Sequence, residues 1–325
     1  MSEHPTTHTG KMPIRILSLG AGVQSTTVYL MSLYGDLPPY DHVIFSDTGW
    51  EPVEVYEHLE RLKAEGAKYG SEITTVSAGN IREDHLHPAG EHLFIRNPRK
   101  HPEFLGKQRT FIPFFVQSAP TENNQSGKGK TFRTCTKTYK IEPVEKRIRE
   151  ILGLKPGQRW PSHHAVNQTM GISWDESQRM RESQRPAIVN EYPLIDMRMT
   201  RDHCHEWMEA HGWTAPRSAC VGCPFHRNDE WRRMRDEDPA AFADAIEFDE
   251  VFRQRVLDGL TPLQGVPYLH DSRVPLRDAD IDVDVRHVTL DRQGPLNIFH
   301  GDSTPRQLVL GDTMFGEDCE GLCGT

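Results

Sequence analysis

The stretch Ile14-Arg15-Ile16-Leu17-Ser18-Leu19-Gly20-Ala21-Gly22-Val23-Gln24-Ser25-Thr26-Thr27 decides the fold class. Residues 14–19 carry mostly branched apolar side chains and read as a short buried strand. Two glycines then permit a tight turn, and Val28, Leu30, Met31 and Leu33 follow at helical spacing. The unit recurs downstream. Asp41-His42-Val43-Ile44-Phe45-Ser46 predicts a second strand that runs out on Asp47-Thr48-Gly49. Pro52 suits the first turn of a helix, and Val55, Leu59 and Leu62 keep helical spacing to about residue 68. Ile73-Thr74-Thr75-Val76-Ser77 is a third strand. This β-α-β-α-β order predicts an α/β fold, an open and mostly parallel sheet with helices on both faces.

Residues 80–134 break the rhythm with His, Pro and Arg, and their polar run at 121–130 predicts a mobile loop. A helix is expected over about 140–152. A fourth strand is expected over 164–172, then a helix initiated by Asp175 and an extended segment over 188–195. Thr200 caps a helix to about residue 211, and further helices are expected at 228–235 and 239–257. Beyond residue 260 the chain is rich in Asp, Pro and Gly and reads as irregular. The expected organisation is a leader over 1–12 and an α/β domain over 13–186 with a loop insertion at about 80–134. A helical and irregular region over 187–325 follows and holds most of the cysteines.

The chain has 325 residues, 36% hydrophobic and 26% charged, with a mean hydropathy of −0.63. No apolar run approaches the ~20 residues of a membrane helix, and no secretory signal is visible. A cytoplasmic location without a membrane partner is expected. Lys+Arg 38 against Asp+Glu 47 gives −9. That balance argues against a nucleic-acid footprint over the whole surface and leaves room for a local basic groove. The cysteines are Cys135, Cys204, Cys220, Cys223, Cys319 and Cys323. In a reducing compartment they read as core residues, metal ligands or redox groups rather than disulfides.

A loop between a buried strand and a helix presents backbone N–H groups and the positive end of the helix dipole, so residues 20–27 form a plausible phosphate cradle. They match neither a Walker loop nor GxGxxG, and a plain βα turn is the competing reading. Asp47-Thr48-Gly49 ends the second strand on the same edge, where open α/β sheets bind ligands. There Asp47 can bind a ribose hydroxyl, an adenine amino group or magnesium, or can cap the next helix. Cys220-Val221-Gly222-Cys223 is a C-x-x-C that suits zinc, an iron–sulfur cluster or a redox dithiol. Cys204 falls in a helical pattern and reads as packing.

Ser18–Thr26, together with Phe45-Ser46-Asp47-Thr48-Gly49-Trp50-Glu51-Pro52, resembles the adenine nucleotide alpha-hydrolase superfamily, and within it the phosphoadenosine phosphosulfate (PAPS) reductase family. The usual loop there is Ser-Gly-Gly-x-Asp-Ser. Here Gly20 and Ala21 replace its first two residues and Gln24 replaces its Asp, while Gly22 and Ser25 are kept. The resemblance implies nucleotide binding by Ser18, Gly20, Ala21, Gly22, Gln24, Ser25, Thr26, Asp47, Thr48 and Gly49, and by Gly171 and Ile172 at the fourth strand's end. Arg133, Lys137, Lys140 and Arg179 are the expected phosphate or substrate contacts. Asp47 and Lys137 are the expected catalytic groups, with Cys319 or Cys323 as the tail nucleophile if the chain is a reductase.

Cluster-containing relatives pair two adjacent cysteines with a distant C-x-x-C. Here the pair is reduced to Cys135, so the resemblance implies a [4Fe–4S] cluster on Cys135, Cys220 and Cys223, with Cys319 as a fourth ligand or one iron open. Zinc is the alternative. The expected activity is that of an ATP-binding, iron–sulfur-dependent sulfur transferase of the ATP pyrophosphatase type, with Mg2+. A sulfonucleotide reductase and a non-catalytic nucleotide-binding protein are the alternatives. The implied partners are an adenine nucleotide and a sulfur or electron donor (sulfide, a cysteine desulfurase or a thioredoxin-like protein). The acceptor is unassigned, and a homodimer is among the expected states.

Overall fold

The structure, a computed structural model, describes residues 12–97, 102–122 and 124–283. Its first layer is the expected sheet. β1 (Ile14–Leu19), β2 (His42–Asp47), β3 (Ile73–Ser77), β6 (Val166–Met170) and β7 (Ile188–Glu191) lie in the order β3-β2-β1-β6-β7. All four pairings are parallel. The chain leaves β1 towards β2 on one side and reaches β6 on the other, so the carboxyl ends of β1 and β6 flank a topological switch point.

Strand alternation sends Leu17, Leu19, Val43 and Phe45 to one face. There α1 (Val23–Tyr34), α2 (Val53–Lys68) and α6 (Arg201–Ala210) cover them in a single cluster that includes Cys204 and Met208. On the other face Ile16, Ile44, Val166 and Ile188 pack against Val144 and Ile148 of α4 (Glu142–Ile151). Burial runs from Val23 to Ser32 in α1, because the helix is sandwiched between the sheet and its neighbouring helices.

The region from α3 (Ile81–Leu86) to residue 134 departs from expectation. It is no free loop. β4 (Phe115–Gln117) and β5 (Lys128–Lys130) form an antiparallel hairpin, and β4 also pairs with β8 (Val266–Tyr268). The polar run at 121–130 thus closes a hairpin and contributes a strand. The chain beyond residue 260 is likewise structured where described. This second sheet packs on α7 (Asn228–Glu237) and α8 (Pro239–Leu257) around Phe111, Phe114, Trp231, Phe248 and Phe252. Parallel aromatic rings of Phe114 and Phe252 lie 4.5 Å apart. The expected Asp175 helix is only a short 3-10 turn, Trp174–Arg179. The expected extended segment stops at Glu191, and Pro193 starts the short helix α5 (Pro193–Asp196). Among the described residues, no helix is long and apolar enough to cross a membrane.

Candidate functional site

Three segments converge at the carboxyl edge of the sheet. The first is the loop between β1 and α1. Gly22 caps α1 with no side-chain bond, and its first turn holds no acidic residue. The first helical backbone bond runs from the Thr26 N–H to the Gly22 carbonyl at 2.9 Å. The N–H groups ahead of it have no partner within the helix, and no acidic residue of the helix's own first turn offsets the positive dipole end. Ser25 Oγ accepts from the Gly20 N–H at 3.1 Å and donates to the Gly22 carbonyl at 3.3 Å, closing the loop on itself. Ala21 sits at φ 56°, a left-handed conformation that a Cβ disfavours. Gly171 lies beneath this loop, and a Cβ there would meet Ser25 N at 2.5 Å.

Gln24 reaches across the switch point, donating to Ser173 Oγ at 3.4 Å and to Glu176 Oε2 at 3.3 Å. Arg179 donates to the same Glu176 oxygen at 2.5 Å. A carboxylate therefore stands beside the loop even though Gln24 replaces the loop Asp.

The second segment follows β2. Asp47 Oδ1 accepts from the Gly49 N–H at 2.7 Å and from the Tyr56 hydroxyl at 2.9 Å. Burial and the Asp47 acceptor push the Tyr56 phenol up. Gly49 has φ 74°, and its ideal Cβ would lie 2.9 Å from Asn80 Cα, so this turn requires glycine. Thr48 Oγ1 donates to Glu51 Oε1 at 2.9 Å. Glu51 is buried, its Oε1 lies 3.7 Å from Lys140 Nζ, and its Oε2 has no hydrogen-bond partner.

The third segment is the cysteine turn. Cys220 Sγ lies 3.3 Å from Thr48 Oγ1 and 3.6 Å from Glu51 Oε1. The Val221 N–H donates to the Trp50 carbonyl at 2.9 Å. Gly222 is pressed against the Trp50 ring, where a Cβ would come within 2.0 Å of Cη2. Trp50 is itself fixed by donating to Asp244 at 2.6 Å and by the Phe248 ring at 4.6 Å. His226 Nε2 pairs with the Cys220 carbonyl at 2.9 Å, and burial lowers its pKa to about 4, so the imidazole is neutral at pH 7.

Cys135 precedes a π-helical turn, Thr136–Ile141, an uncommon element that often marks functional sites. Its Tyr139 carbonyl accepts from Ser46 Oγ at 2.8 Å, which docks the turn on β2 and delivers Lys140 to Glu51.

Other expected residues are placed differently. Ser18 Oγ accepts from Gln168 within the sheet at 2.8 Å. Thr26 Oγ1 meets His58 Nε2 at 3.0 Å, pointing towards α2. Ile172 is buried beside Met170 and Ile195. Arg133 lies over the Phe225 ring and Lys137 is exposed. Cys204 is buried in the core as expected, its thiol pushed up to about 12 by burial. Cys319 and Cys323 fall outside the described residues.

Among the described residues, no group of three or more His, Cys, Asp or Glu side chains is gathered to hold a metal ion. Cys220 borders this edge, and Cys135, Cys220 and Cys223 do not form a preassembled ligand set among the described residues. Sequence reasoning missed Glu51. Its signal was the Thr48-to-Glu51 spacing of three, which lets a Thr hydroxyl and a Glu carboxylate meet within one tight turn. A cavity of about 470 Å³ opens elsewhere, lined by Arg15, Tyr40, Thr169, Asn190 and Glu191 among others. It contains none of the loop, Asp47 or cysteine residues.

No family model matches the chain, and no curated protein matches it. Among solved structures, it is similar to phosphoadenylyl-sulfate (PAPS) reductase from Candida auris in its phosphate complex, at 12% identity and a TM-score of 0.35. The likeness covers 65% of this chain and 78% of that one.

Proposed function

We propose that the chain is an enzyme that binds an adenine nucleotide at the carboxyl edge of its sheet and carries out sulfur transfer there. One observation carries this reading. The Cys220 thiol lies 3.3 Å from Thr48, inside the loop that bears Asp47, so sulfur chemistry and the nucleotide edge share one place. Residues 21–25 offer backbone N–H groups to the pyrophosphate. Asp47 keeps Oδ2 for a ribose hydroxyl or Mg2+, since Oδ1 is engaged within the turn. Lys140, beside the buried Glu51, brings positive charge to the thiol side.

The reaction proposed is adenylation of an acceptor oxygen by attack on the ATP α-phosphorus. Pyrophosphate leaves first. A sulfur nucleophile then displaces AMP together with that oxygen. Cys135, Cys220 and Cys223 are the residues to hold an iron–sulfur cluster or zinc, with Cys319 as a further ligand. The described side chains do not gather three such ligands.

The test is product analysis with ATP and the full chain. Turnover to AMP plus pyrophosphate is expected, with the AMP-releasing step lost in Cys220→Ser; ADP plus phosphate overturns the reading. Sulfite release from an adenylyl sulfate without ATP cleavage assigns reductive chemistry instead. Nucleotide binding without turnover assigns a non-catalytic role. Iron, sulfide and zinc analysis after anaerobic purification decides the metal content.

A further inference from the structure

The segment that leads into Cys135 carries a surface the nucleotide site does not use. Lys128 and Lys130 are exposed on β5, an edge strand of the second sheet. Continuing the alternation of extended chain, Phe132 falls on the same side, and it is 90% exposed. Arg133 and Lys130 both approach the Phe225 ring, which follows the C-x-x-C turn, at 5.7 and 5.0 Å. Lys137 is exposed on the next turn. Arg109 is exposed as well and packs over Phe111, whose carbonyl accepts from the Cys135 N–H at 3.0 Å.

Over the described residues, arginines and lysines pair repeatedly with carboxylates, as in Arg82 with Glu83, Asp244 and Glu247. Lys128, Lys137 and Arg109 have no such ion pair among the described residues. On a chain of net charge −9, this concentrates positive potential beside the cysteines. Lysines on an edge strand can serve only to block edge-to-edge pairing. That purpose does not account for a nearly fully exposed phenylalanine among them, since an isolated aromatic there costs solubility and covers nothing.

We infer that the surface formed by Lys128, Lys130, Phe132, Arg133 and Lys137 binds an unpaired nucleic-acid strand and delivers it to the cysteine edge as the acceptor. The phosphates meet the lysines and arginine, and a base stacks on Phe132. Unpaired bases expose both faces for such stacking, and duplexes do not. The inference deepens the sulfur-transfer reading by naming its acceptor, and the binding step it requires is measurable without turnover.

The experiment is fluorescence anisotropy of the full chain with a labelled unpaired oligonucleotide, as RNA and as DNA. The matching duplex and inorganic polyphosphate serve as controls. Expected is salt-dependent binding of at least one single strand in preference to duplex. Phe132→Ala should weaken it about 5- to 150-fold, and Phe132→Trp should retain it. Lys128→Ala should lower the salt slope by about 0.7.

Absence of single-strand binding at low salt overturns the proposal. So does equal affinity for polyphosphate with no effect of Phe132→Ala, which would be plain charge adsorption. ATP affinity should be unchanged in Phe132→Ala. If ATP is neither bound nor cleaved while Phe132-dependent strand binding persists, the sulfur-transfer reading fails and the strand surface stands. The converse result separates them the other way.

Discussion

Gly171→Ala tests whether the glycine loop is held by the end of β6. The added Cβ would lie 2.5 Å from Ser25 N, 2.6 Å from Ser25 Cα and 2.8 Å from Gln24 C. All three are backbone atoms, so no side-chain rotation relieves the clash. Ordinary carbon contacts lie near 3.5–4.0 Å, and the start of α1 must therefore retreat by roughly 1 Å. Overpacking of this kind costs about 1–3 kcal/mol. The atoms that move include the N–H groups assigned to phosphate, so stability and nucleotide affinity should fall together. The melting temperature should drop by roughly 2–4 °C per kcal/mol, and ATP affinity by up to about 150-fold. Thermal melts and isothermal titration with ATP measure both. Gly129→Ala is the control. Nothing lies within 4 Å of its ideal Cβ, and it should stay within about 0.5 kcal/mol of the wild type. Gly171→Ala behaving like Gly129→Ala refutes the packing argument. A lower melting temperature with unchanged ATP affinity refutes the phosphate assignment.

His58, His85 and His226 are buried with pKa values lowered to about 4 from 6.5. The unfolded chain therefore takes up protons that the folded chain refuses. Their contribution is complete above pH 6.5 and is lost as pH falls towards 4, at about 1.4 kcal/mol per pH unit for each histidine; urea midpoints that stay flat across this window contradict it. Lys140→Met should cost about 3–5 kcal/mol by leaving the Glu51 carboxylate buried without its cation, and adding Glu51→Gln should recover part of that loss. Additive losses in that denaturation cycle would show that the two groups do not interact. Cys204 should resist alkylation at pH 8 in the folded chain and react in urea, because burial raises its thiol to about 12. Mass spectrometry after iodoacetamide reads this, and rapid labelling of folded Cys204 would place it outside the core.

The parallel sheet was legible because its signals are local. The boundaries of β1 and β3 follow directly from runs of strand-favouring residues, apolar in β1 and β-branched in β3, and the turn after β1 follows from Gly20 and Gly22. Thr200 announced α6, and the structure supplies the reciprocal bonds of a capping box at that helix start. The 3-10 turn at Trp174–Arg179 was misread because Asp175 carries a helix-start signal, yet the Trp174 N–H is claimed by the Met199 carbonyl at 2.7 Å. The hairpin of β4 and β5 was illegible for a related reason. Strands of three residues carry too little alternation to register, and their partner β8 lies far along the chain.

By itself, then, the sequence determined the α/β layer, the glycine loop at the end of β1, Asp47 on the same edge and the burial of Cys204. Each of these follows from residue types within one turn or one strand. Only the tertiary structure decided that Cys220 stands against Thr48 across 172 positions, that Glu51 is buried between that thiol and Lys140, and that the insertion joins the carboxyl-terminal helices in a second core. These contacts are set by which apolar surfaces cover one another after the chain has closed long loops. Local periodicity shows that a face must be buried and does not specify which distant segment buries it.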